Sequence, residues 1–200
     1  MMLSRLPRIE PMAVARLAPL AVPLVLALLL PGVVPAAQKK EPKEPKLGVT
    51  LQFVADKVNQ QGPVNVAGYL HDNATGKDSI VHLRLEQSNV KFEQPKCKLG
   101  FHWRVFSNGA ITTDKDVWML LSDVNSVEVI PKEAAWKRDD SKQGNTTLSY
   151  KADPPVSVLR LNVSNGNSFE LNFYDEGVAD RVAKALEHAV GLCGGGKEAF

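Results

Sequence analysis

The spacing of apolar residues divides the chain into an apolar leader, a short helix, a series of alternating stretches and a closing helix. The closing helix is the clearest element. Over Glu176–Leu192, residues Val178, Val182, Ala185, Leu186 and Ala189, with Cys193 just beyond, recur at three- and four-residue steps and make one face apolar. Asp180, Arg181, Lys184, Glu187 and His188 fall largely on the opposite side. Asp175, Glu176 and Asp180 crowd the start, where the helix dipole favours negative charge, and Gly194, Gly195 and Gly196 stop the helix. Leu47, Leu51, Val54 and Val58 predict an earlier helix over 47–60, ended by Gly62-Pro63.

Between the helices the period changes to two. Alternation and turn residues predict strands at 64–70, 80–92, 98–106, 117–121, 124–130, 147–151, 156–163 and 168–174. The breaks are His71-Asp72-Asn73, Pro95, Ser107-Asn108-Gly109, Ser122-Asp123, Asp153-Pro154-Pro155 and the stretch Ser164 to Asn167. Residues 131–145 are polar and read as an exposed loop with one helical turn near Ala134 to Trp136. The fold class is mainly β, of the α+β type. Seven antiparallel strands from Ile80 onward bend into two near-orthogonal sheets or a partial barrel, closed by the C-terminal amphipathic helix and preceded by a helix and an extra strand.

The leader changes what the charge means. Residues 1–37 carry Arg5, Arg8 and Arg16, an uncharged apolar run from Leu17 to Leu30, and small residues at Val34, Ala36 and Ala37, the pattern of a cleaved export signal. An uncleaved membrane anchor is the alternative, which Pro19, Pro23, Pro31 and Pro35 weaken. Three of the 24 basic residues and one of the 22 acidic ones lie in this segment, leaving 21 of each. A neutral remainder gives no electrostatic reason to bind nucleic acid or an anionic membrane. The chain is thus divided into a signal peptide (1–37), a charged Pro-containing linker QKKEPKEPK (38–46), a helix and strand (47–79), the main domain (80–193) and a flexible tail (194–200).

The candidate chemistry is sparse. Cys97 and Cys193 are the two cysteines, and in an exported protein an even count suggests a disulfide, with two buried thiols as the alternative. His71, His82, His102 and His188 fall at no metal-binding spacing; His82 and His102, on adjacent strands, offer two ligands where zinc sites commonly need four. Asp114, Asp116, Asp139 and Asp140 read as solvated loop acids. Nucleophile motifs and phosphate-binding glycine loops are missing. Trp103 falls on the apolar face of its strand. Trp136, next to Lys137 and Arg138, either anchors a partner or folds back onto the body.

The strand order, the phrase LLSDVNSVEVI at 120–130 and the closing helix together resemble the pleckstrin-homology-like (PH-like) superfold. The stretches TLQFVADKVNQQGPVNV, YLHDNATGKD and RVAKALEHAVGLCGGG resemble a group of secreted bacterial proteins of undetermined function. The first resemblance implies a fold, and the second implies export; neither assigns a site. PH domains that bind lipid use basic residues between their first two strands. The stretch matched here, EQPKCK at 93–98, has two lysines beside a cysteine expected to be bonded, so lipid binding is not carried over.

The resulting expectation is a bacterial, non-enzymatic binding or scaffold module in the periplasm or outside the cell, membrane-anchored if the signal stays. A protein or peptide partner would add a strand or helix at an exposed sheet edge beside the closing helix. The alternative is a carrier of a small apolar ligand. A hydrolytic or metal-dependent enzyme comes third, resting on His71, His82, His102 and the loop acids. No cofactor, no nucleic-acid partner and no catalytic or metal residue is expected, nor stable membrane insertion once the signal is removed.

Overall fold

Among the described residues, a period of two gives eight strands, and the two apolar stripes give the first and last of three α-helices. In order they are α1 (Leu47–Gln61), β1 (Val64–Asp72), β2 (Lys77–Glu93), β3 (Lys98–Ser107), β4 (Ala110–Leu120), β5 (Val124–Pro131), α2 (Lys132–Lys142), β6 (Leu148–Asp153), β7 (Ser157–Val163), β8 (Ser168–Phe173) and α3 (Glu176–Leu192). The computed structural model describes residues 45–145 and 147–196. The signal peptide, nearly all of the linker and the last four tail residues lie outside them.

The strands form two antiparallel sheets, one of five in the order β4-β3-β2-β1-β6 and one of three in the order β5-β7-β8. The chain thus forms two antiparallel sheets, as expected, and the correction concerns the partial barrel: neither sheet closes. The first predicted strand, β1, lies inside the larger sheet, with Val64 opposite Leu85 of β2 and Gly68 opposite Ala152 of β6. The sheets also do not join through a ladder at β8. There the Asn172 N–H donates to the Gln87 side-chain carbonyl of β2 at 2.9 Å, so a side chain takes the place of a neighbouring strand.

The two faces of the smaller sheet differ. Leu159, Leu161, Leu171 and Phe173 lie on one side and are fully buried with Val182, Leu186 and Ala189 of α3, Leu51, Val54 and Val58 of α1, and Leu99, Phe101 and Met119 of the larger sheet. The α3 face that is buried also includes Ala179, Ala183 and Val190, so it is wider than the stripe read from spacing, and Val178 and Ala185 sit at its margin. Asp175 caps this helix, accepting a hydrogen bond from the Val178 N–H at 3.0 Å. Cys97, in the turn between β2 and β3, is bonded to Cys193 at the end of α3, with Cα atoms 5.8 Å apart.

On its other face the smaller sheet carries Arg160 and Glu170, turned toward α2. Residues 132–142 are thus an 11-residue helix instead of the expected exposed loop. Only Lys132 and Ala135 of α2 are buried, which explains why spacing did not reveal it. The helix is held by polar contacts: Lys132 Nζ lies 3.0 Å from Glu170 Oε2, Asp139 accepts from Arg160 at 2.8 Å, and Glu133 accepts from the Ala152 N–H at 2.8 Å. Among the described residues no helix is long and apolar enough to cross a membrane.

Candidate functional site

Two clefts bear on function, one between the two sheets and one between α2 and the larger sheet. The first, of about 430 Å3, lies over the inner face of β3 and β4 and is walled by the start of β8. Phe101, Trp103 and Val117 form its floor; Lys115 and Glu170 bring the charge. Trp103 is half-buried and touches both apolar clusters of the protein, close to its expected place in the core.

The backbone of β8 supplies the polar component. Val163 N–H donates to Asn167 O across the hairpin, so the odd-numbered pairs Leu161–Phe169 and Leu159–Leu171 are the hydrogen-bonded ones. The N–H groups of Ser168, Glu170 and Asn172 then point away from β7, to the free edge. Gln87 satisfies the one on Asn172. Those on Ser168 and Glu170 face the cleft side of the strand. Both side-chain polar atoms of Asn172, and Gln87 Nε2, are buried and find no partner among the described residues.

The second cleft, of about 260 Å3, lies between α2 and the far end of the larger sheet. Leu70, Val81 and Leu83 line its floor and Trp136 and Tyr150 its wall. Trp136 folds back onto the body: its ring lies over Gly68, where an added Cβ would stand 3.0 Å from Cη2, and its centroid is 6.0 Å from that of Tyr150. Lys137 and Arg138 point outward and are exposed, with Arg138 paired to Glu128. The predicted group Trp136, Lys137 and Arg138 is therefore split between an inner wall and an outer surface. Asp139 and Asp140 stand at the cleft rim, on a helix and not in the predicted loop.

Behind this cleft sits the most buried charge of the molecule. Arg160 is 2 % exposed, and its Nη2 lies 2.6 Å from Glu170 and 2.8 Å from Asp139. Burial alone would push the Glu170 carboxyl up, but Lys132 and Arg160 outweigh it and hold it below the usual range. Burial likewise disfavours the Arg160 cation, and Glu170 and Asp139 restore it.

The histidines do not converge. His102 lies opposite Ser88 in the β2–β3 ladder, not opposite His82. Its two ring nitrogens each lie 3.0 Å from a carboxylate, those of Asp114 and Asp116, on the outer face of the larger sheet. These two acids, expected in a loop, belong to β4, and Arg104, Glu86 and Arg84 continue the row of alternating charge. His71 pairs with Asp78 and His188 with the carbonyl of Pro45. Among the described residues no group of three or more His, Cys, Asp or Glu side chains is placed to hold a metal ion.

No protein-family model, no curated protein and no solved structure matches this chain.

Proposed function

We propose that the chain is a non-enzymatic, extracytoplasmic binding module that takes an extended peptide segment onto the free edge of β8. The observation that carries this reading is the pair of outward N–H groups on Ser168 and Glu170 beside the apolar floor of Phe101, Trp103 and Val117. Main-chain bonds to an edge supply affinity, and pockets for alternate side chains supply selectivity. Two of the other edges, β6 and β4, offer less. Glu133 occupies an N–H of β6, and β4 carries the charged pairs of Asp114 and Asp116. The disulfide suits an oxidising compartment, which supports export.

The PH-like reading stays part of the proposal with its seven strands reassigned: β1, expected as an extra strand, is counted as the first, and β6, expected as one of the seven, is not. A four-strand meander from β1 to β4, then β5, β7 and β8 in a second antiparallel sheet, then a closing helix, supports it. On this reading α2 and β6 are an insertion between the first two strands of the smaller sheet.

Selection of peptides from a displayed random library on the mature protein tests the function. Enriched peptides should protect the Ser168 and Glu170 amides from hydrogen exchange and lose binding in Ser168→Pro. That substitution removes an outward N–H and leaves the β7 ladder intact. Peptides that bind the variant equally, or protection confined to another edge, would show the reading to be wrong. The carrier alternative is favoured by one observation, the apolar cleft under Trp136.

A further inference from the structure

We infer that the cleft between α2 and the larger sheet is a binding site for an amphiphilic organic cation, an alkyl or aryl amine with its chain inside and its ammonium at the rim. The floor of Leu70, Val81 and Leu83 suits a hydrocarbon chain. Nothing apolar, however, answers the polar groups around it. Tyr150 Oη is buried and has no hydrogen-bond partner among the described residues. Asp140 makes no ion pair and no side-chain hydrogen bond among them, and Asp139 uses only one oxygen, toward Arg160.

The sign of the site follows from its charges. Lys132 and Arg160 are matched by Glu170 and Asp139, and Arg138 by Glu128. Glu133 is turned to the Ala152 N–H. Lys137 is exposed and does not line the cleft. The carboxylate left over at the rim is that of Asp140. An ammonium placed there would donate to Asp140 beside the ring of Tyr150, while the Trp136 ring is already faced by Lys132 Nζ, 5.8 Å from its centroid. A neutral ligand would leave the Asp140 carboxylate unanswered, and an anion would meet two carboxylates. Gly68 lets the Trp136 ring lie close: a Cβ there would press on it at 3.0 Å and force a small shift.

This site is separate from the β8 edge, so either proposal can fail alone. The test is an NMR titration of the mature protein at neutral pH with n-hexylamine, 1-hexanol and hexanoate, following the Trp136 indole N–H. We expect hexylamine to bind at least about tenfold more tightly than 1-hexanol, and hexanoate not to bind. Asp140→Asn should reduce hexylamine affinity about tenfold and leave hexanol unchanged. Equal binding of the alcohol and the amine would overturn the inference. So would an unchanged amine affinity in Asp140→Asn, or an indole signal that no ligand moves at millimolar concentration.

Discussion

The two faces of the smaller sheet were built by opposite means. Against α3, the sheet presents Leu159, Leu161, Leu171 and Phe173, and every contact is apolar. Toward α2, it presents Arg160 and Glu170, and the contacts are ion pairs and hydrogen bonds. Apolar packing is non-directional and tolerates local shifts as long as volume is kept. Buried ion pairs are directional, and each charge depends on its partner. Both clefts adjoin the second face: Glu170 reaches the first, and Asp139 the second. The lesson is that the α3 side holds the fold together, while the α2 side positions groups at the cost of leaving some unsatisfied.

This contrast can be broken by mutation. The largest effect should come from Glu170→Ala, which leaves Arg160 and Lys132 buried without their shared partner; we expect a loss of about 3–5 kcal/mol in chemical denaturation. A loss below about 1 kcal/mol would mean that the polar face is no more coupled than a surface. Leu186→Ala on the other face should cost about 2–5 kcal/mol, through lost transfer energy and a cavity. Unlike Glu170→Ala, it should leave α2 amide protection unchanged relative to the rest of the molecule.

Acid should separate the faces without mutation. The Glu170 and Glu128 carboxyls are both held below their usual range, so each adds stability that is present above the unfolded carboxylate pKa of about 4.3 and is lost as pH falls through its lower folded value. Hydrogen exchange between about pH 5 and 3 should therefore open α2 and β7 before α3. Simultaneous opening of all three would contradict the division. The smallest effect should be that of Asp175→Ala, about 1 kcal/mol, from the lost cap of α3. Its measurement by denaturation tests whether the apolar face depends on any single polar contact.

The same contrast explains what could be read in advance. α1, α3 and the strands were legible because burial on an apolar core leaves a period in the sequence, as at Leu51, Val54 and Val58 or at Leu99 and Phe101. α2 left no such period, because Lys132, Glu133 and Asp139 do the work that aliphatic residues do elsewhere. Weak signals were present in Glu133 at its first turn and Lys142 at its last, which match the helix dipole. The first half of β4 was missed for a related reason. Its partners are His102 and Arg104 on an open face, so Asp114 and Asp116 read as a solvated loop. Trp118, on the same face but in the half of β4 that was predicted, lies with its ring over Gly100. The clefts were illegible because they depend on residues far apart in sequence, such as Trp103 and Phe169, or Leu83 and Trp136. The Cys97–Cys193 pairing was legible, since two cysteines leave one intramolecular choice.

That bond also decides how the molecule bears a load. A pull on the residues beyond Cys193 would ordinarily peel α3 away one turn at a time, starting at its last turn. With Cys193 tied to Cys97, the pull passes into the turn between β2 and β3, and from there along the ladders of the larger sheet. Shearing many backbone bonds together takes more force than unzipping a helix end. A pull at that end would therefore leave the helix that closes the core in place.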